Sequence, residues 1–117
     1  MPGTTTFEPG TVVLVRFPFT DLSGAKQRPA VVLSSKAHQR AGRDLVAAAV
    51  SGQRVEHPRP FDHVVEDWQG AGLLMPSLVR CGKLVTLERS AVRRPLGRLA
   101  SGELEAVRKL VGEVLGV

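Results

Sequence analysis

Most of this chain is a series of short apolar, β-branched blocks separated by turn formers, and only its last stretch follows a helical rhythm. The block Thr11–Phe17 (TVVLVRF) lies between Pro9-Gly10 and Pro18, which predicts a strand. Pro18–Gln27 collects Pro, Asp, Ser and Gly and reads as a loop. Arg28–Ser35 (RPAVVLSS) predicts a second strand, with Pro29 near its start or on an edge because proline donates no ladder hydrogen bond. After a turn region around HQRAGRD, Leu45–Ser51 (LVAAAVS) predicts a strand buried on both faces. Asp62–Asp67 predicts a polar-flanked strand and QGAGLLMP a loop. Ser77–Leu87 predicts one strand bent or bulged at Gly82, and Val92–Leu99 a short, weak one. Strands this short and closely spaced point to a small β-barrel rather than a βαβ sheet.

The rhythm changes after Ser101. Leu104, Val107, Leu110, Val111 and Val114 recur at three- and four-residue steps, with Arg108, Lys109 and Glu113 off that stripe. Ser101 is the expected N-cap, and Glu103 and Glu105 fall in the first turn, where the helix dipole favours anions. The stripe predicts a C-terminal helix packed on the barrel, its end (EVLGV) included. Residues 1–8 read as a flexible tail and 9–117 as one domain.

Composition narrows the picture. A length of 117 residues and an apolar share of 43% suit one domain with a core of its own. The single cysteine, Cys81, excludes an intrachain disulfide and fits a reducing compartment. The N-terminus lacks the apolar core of a signal peptide, and no apolar run is long enough to span a membrane. A soluble, cytoplasmic protein is expected. The net charge is +5, and its placement is informative. Twelve of the sixteen Lys and Arg residues fall in two blocks, Ser23–Arg54 and Arg80–Arg98, which together hold two acids, Asp44 and Glu88. Such a field draws polyanions.

The usual catalytic and cofactor signatures are missing. The sequence has no Walker loop, no GxGxxG and no GxSxG. His38, His57 and His63 share no ligand spacing, and Cys81 has no second cysteine, so neither a metal site nor a cofactor is expected. The histidines read as surface or turn residues, with His57 and His63 near a Pro-rich bend where RNA could pass. Cys81 reads as a packed thiol, and Trp68 as a packing or dimer-contact residue.

Four segments, in order, resemble the MazF/PemK-type toxins. PGTVVLVRFPFTD…SGAKQRPAVVLSS is similar to that family's opening strand, its loop and the Arg-Pro pair that starts the next strand. LVAAAVSGQ is similar to the third strand, which ends in a hydroxyl residue, and PSLVRCGKLVTLERSAV to the Ser-anchored strand and its Thr-Leu-acid turn. The terminal amphipathic helix also agrees, so the likeness runs from about Pro9 to the end. It implies a mostly β fold, an SH3-like small β-barrel with a C-terminal helix, assembled as a homodimer. It also implies metal-independent, sequence-specific cleavage of single-stranded RNA, control by a cognate antitoxin, and operator DNA as a possible partner of the toxin–antitoxin complex. Arg28 and Ser51 match the family's catalytic pair, with Ser51 replacing the usual threonine. Around them, Arg16, Lys26, Arg80 and Lys83 are the expected phosphate contacts, Phe17 and Phe19 the expected stacking residues, and Gln53 a further RNA contact. Two rival readings share the barrel: a CcdB-like toxin that binds DNA gyrase without catalysis, and an inert member that binds only antitoxin or RNA.

Overall fold

A computed structural model of the chain describes residues 5–17 and 26–117. Six strands form one antiparallel sheet: β1 (Thr11–Phe17), β2 (Lys26–Val32), β3 (Asp44–Ser51), β4 (Asp62–Val64), β5 (Leu78–Glu88) and β6 (Val92–Arg98), in the order β4-β5-β3-β2-β1-β6. Two helices complete it, α1 (Lys36–Ala41) and α2 (Ser101–Leu115). This is the mostly β fold with a terminal helix that the sequence predicts, in an SH3-like form that stays open between β4 and β6 among the described residues.

Both faces of the sheet are covered, which is why its central strands read as apolar runs rather than alternations. On one face Val12, Val31, Ala48, Val50, Val79 and Cys81 pack with Leu99 and Val107, the latter from α2. On the other, Val13, Val15, Ala30, Val32, Leu45, Ala47 and Leu87 form a second cluster, with Phe7 packed against it. Phe7 belongs to the segment read as a tail. Its N–H donates to Gln39 Oε1 (2.8 Å) and its carbonyl accepts from Gln39 Nε2 (2.9 Å).

The bend expected at Gly82 is a bulge. Arg80 sits opposite Ala49 and Leu84 opposite Ala48, so Cys81, Gly82 and Lys83 are extra residues on β5. Bulges of this kind bend and twist a strand. The proline rule also holds. The β2–β3 ladder covers only Ala30–Val32, so the Lys26–Pro29 half of β2 pairs with β1 alone and Pro29 needs no donor towards β3.

Six local readings change. The second strand lies two to three residues earlier than expected: Leu33 and Ser34 leave the ladder, and both of their N–H groups donate to Val46 O. The turn region after it contains α1, capped by Ser35, whose Oγ accepts from the His38 N–H. That helix is too short to show a period, and its wholly buried residue is the polar Gln39. On α2 the N-cap is Ala100, not Ser101. The Glu103 carboxylate faces the β4 segment and accepts from His63 Nε2 (2.8 Å) and from the N–H groups of Glu66 (2.8 Å) and Asp67 (3.1 Å). His63 is therefore a half-buried partner rather than a surface histidine, and the expected strand Asp62–Asp67 stops at Val64 where this clamp begins. Finally, the apolar stripe of α2 is buried at Val107 but emerges at its end, where Leu115 and Val117 are 59% and 96% exposed.

Candidate active site

The site forms where the sheet comes apart. β2 and β3 are hydrogen-bonded partners from Val32↔Ala47 to Ala30↔Ala49. Continuing that register two residues outward sets Arg28 opposite Ser51, just beyond the last ladder pair. A cleft of about 730 Å³ opens there, with both residues on its lining. Its floor includes Leu14, Pro29 and Val50, and its far wall is the segment Gly72–Met75 with Leu96 of β6.

That far wall is held by close backbone contact. Gly72 has a positive φ of 83°, and a Cβ there would lie 2.0 Å from the carbonyl oxygen of Leu96. A Cβ on Gly97 would in turn lie 2.5 Å from the Ala71 carbonyl oxygen. Only glycine at both positions lets the segment lie against β6. Ser77, nearly buried, donates from Oγ to the Met75 carbonyl at 2.9 Å and ties the end of the segment to the start of β5.

Charge in the cleft is one-sided. Five lining residues are cationic (Lys26, Arg28, Arg80, Lys83 and Arg94), and no Asp or Glu is among the described residues that line it. Arg28 is exposed, and its side chain enters no hydrogen bond or ion pair among the described residues. Ser51 is half-buried and its Oγ accepts the Gln53 N–H at 3.0 Å. That bond fixes the hydroxyl and uses one lone pair, leaving the O–H hydrogen and a second lone pair for a ligand. Arg28 and Ser51 together present a planar cationic fork and an oriented hydroxyl to one cavity, a pairing suited to a phosphodiester.

Of the residues singled out from sequence, the structure gathers Arg28, Ser51, Lys26, Gln53, Arg80 and Lys83 on this cleft. Arg16 is exposed on β1 and does not line it; its Cα partner is Gln27. Phe17 closes β1 opposite Lys26. Phe19, the other expected stacking residue, lies outside the described residues. Cys81 is fully buried in the first core cluster. Burial, with the Asp62 charge second, pushes its thiol up to about 11, so it stays protonated and is no nucleophile. Trp68 packs, half-buried, against the same cluster. Sequence reasoning missed Arg94, Leu74 and Met75. Arg94 lies within the second basic block, but only the β1–β6 pairing brings it to this side of the sheet.

The chain matches the family of PemK-like, MazF-like toxins of type II toxin–antitoxin systems over residues 8–115, and it belongs to that family. No curated protein sequence matches it. Among solved structures it is similar to an endoribonuclease from a mycobacterial species in complex with its cognate antitoxin, at 16% identity and a TM-score of 0.78, covering 96% of this chain and 97% of that one. It is similar to MazF from Deinococcus radiodurans at 23% identity and a TM-score of 0.77, covering 97% and 99%. The same holds for a MazE–MazF complex from that organism, at 23% identity and a TM-score of 0.76, covering 97% and 98%. At these identities the likeness is one of fold over nearly the whole length.

Proposed function

We propose that this chain, through a single toxin domain spanning residues 9–117, is a sequence-specific endoribonuclease that cleaves single-stranded RNA without a metal ion. The observation that carries the reading is the cleft itself: among the described residues, a fork without an acid partner and a fixed hydroxyl meet in a cavity lined by five cations and no acid. In the reaction, the 2′-oxygen of one nucleotide forms a bond to the adjacent phosphorus as the P–O5′ bond breaks. The 2′-OH gives up its proton and the departing 5′-oxygen gains one, leaving a 2′,3′-cyclic phosphate and a 5′-hydroxyl. Negative charge gathers on the non-bridging oxygens. Arg28 offers those oxygens two parallel donors and a charge it does not lose, an arrangement worth about 3 to 4 kcal/mol of barrier. Ser51 hydrogen-bonds a phosphate oxygen or the attacking 2′-OH. Arg80, Lys83, Lys26 and Arg94 hold flanking phosphates, and Gln53 lies beside the same strand.

The family membership and the antitoxin-bound relative support a cognate antitoxin as the regulatory partner. The working unit is a homodimer, and the toxin–antitoxin complex is the form that would engage operator DNA. One observation favours the rival, gyrase-binding reading: Leu115 and Val117 at the C-terminus are exposed rather than packed. Incubating the purified protein with a long single-stranded RNA in EDTA separates the readings. Discrete cuts with cyclic-phosphate ends support the nuclease. Intact RNA with inhibition of gyrase supports the rival, and intact RNA without it leaves a binding module.

A further inference from the structure

Two large apolar side chains on the far wall of this basic cleft are left largely uncovered. Leu74 is 96% exposed and Met75 54% exposed, and both line the cavity. They are not on a loose loop. Gly72 is fixed against Leu96 of β6, the Leu73 N–H donates to Trp68 O at 3.0 Å, and Ser77 holds the Met75 carbonyl. Met75 also lies against the chain that carries the hydroxyl. A Cβ on Gly52 would sit 2.7 Å from Met75 Sδ, so glycine after Ser51 is what lets the thioether pack there. The result is an apolar ledge, rigidly mounted, one residue from Ser51 and within a field of cations.

We infer that Leu74 and Met75 form a base-binding ledge, which receives the face of a nucleobase next to the scissile phosphate and contributes to choosing the cut site. The inference rests on the RNA reading above. Charge complementarity selects the occupant. A ligand there must carry negative charge at close spacing to meet Arg28, Arg80, Lys83 and Arg94, and must also present a flat apolar face between those charges. A single-stranded polynucleotide has both, because its bases splay away from the phosphates and stack or pack on protein surfaces. Methionine suits the role because its polarizable thioether adapts to different ring shapes. The ledge is a specificity element. It touches the base rather than the reacting atoms, so its loss weakens binding while the cations continue to hold the backbone.

The test separates base from phosphate and does not depend on cleavage. Binding is measured by fluorescence anisotropy for the wild type and for the Leu74→Ser/Met75→Ser double variant. The probes are 2′-O-methyl oligonucleotides, which lack the free 2′-hydroxyl needed for cutting: four homopolymers and one abasic strand of equal length. The wild type is expected to bind its best homopolymer roughly tenfold tighter than the abasic strand. In the double variant that advantage falls to about twofold or less, while affinity for the abasic strand and its salt dependence stay at the wild-type level. Both changes are exposed, and an unchanged melting temperature confirms an intact fold. An undiminished base advantage in the folded double variant overturns the ledge, and so does a result in which the variant loses only capture of a partner protein. Loss of the advantage in a protein that never cuts RNA would keep the ledge and sink the nuclease, and the reverse result would do the opposite.

Discussion

Two of the basic cavities among the described residues are built for different ends. The cleft beside Arg28 and Ser51 has cations without an acid among its described lining residues. The second cavity, about 630 Å³, is lined by Arg43, Arg89, Arg93 and Arg94 together with Glu88 and the apolar Phe7 and Val92. There Arg89 is already engaged: its Nη2 donates to the carbonyls of Gln39 and Gly42 at the end of α1. Arg28 has no such partner among the described residues. An arginine whose Nη2 is held by two backbone carbonyls is a structural tie, even with its Nε buried unpaired, whereas one without a partner among the described residues is available for a ligand. The two basic blocks in the sequence do not correspond to the two cavities. Arg80, Lys83 and Arg94 go to the first, Arg43 from the earlier block goes to the second, and Arg94 touches both.

The contrast is sharpest when the same substitution is made in each cavity. Arg28→Lys keeps the charge and loses the fork, so RNA cleavage should fall roughly 100-fold with the melting temperature unchanged. Arg89→Lys should leave the cleavage rate near wild type but cost about 1 to 2 kcal/mol in urea unfolding, because α1 loses its carbonyl tie. Ser51 comes next. Ser51→Ala should slow cleavage by roughly 10- to 100-fold under single turnover, the worth of one hydrogen bond to a charged oxygen. Ser51→Thr keeps the hydroxyl with a stiffer χ1 and should match or exceed the wild-type rate. Smaller still, Arg80→Ala and Lys83→Ala should each reduce the slope of log affinity against log salt by about 0.7, as expected when one single-strand phosphate contact is lost. Arg93→Ala, in the second cavity, should leave that slope unaltered.

A fourth prediction concerns the clamp between Glu103 and the β4 segment. Burial raises the Glu103 carboxyl, but the Glu66 N–H, His63 and Asp67 N–H bonds outweigh it and hold the group below its ordinary value. A carboxyl lowered on folding adds stability that is fully present above its unfolded value, near 4.3, and is lost as pH falls through the folded value. Urea unfolding should therefore show stability declining below about pH 4.3 in the wild type, and less steeply in Glu103→Gln.

Much of this was legible in the sequence because it rests on local chemistry. β1 has the predicted bounds since prolines and a glycine frame a β-branched run, and Gly82 marked the bulge in β5. Arg28 and Ser51 were found by resemblance, and the register that sets them opposite each other follows from antiparallel pairing. What escaped detection depends on contacts between distant segments. Gln39 is a polar residue buried to hold the backbone of Phe7, and no hydrophobic pattern announces it. Glu103 looked like a dipole partner for its own helix but serves the β4 segment instead. Leu74 and Met75 looked like ordinary loop residues, and only the fold shows that they stay uncovered beside the cations.

The most direct measurement is single-turnover cleavage of a long single-stranded RNA in EDTA by wild type and by Arg28→Ala, with melting temperatures taken alongside. The expected result is discrete cutting by the wild type and a rate at least roughly 100-fold lower for a variant that melts normally. Cutting by Arg28→Ala at the wild-type rate would contradict the assignment of that guanidinium to the transition state.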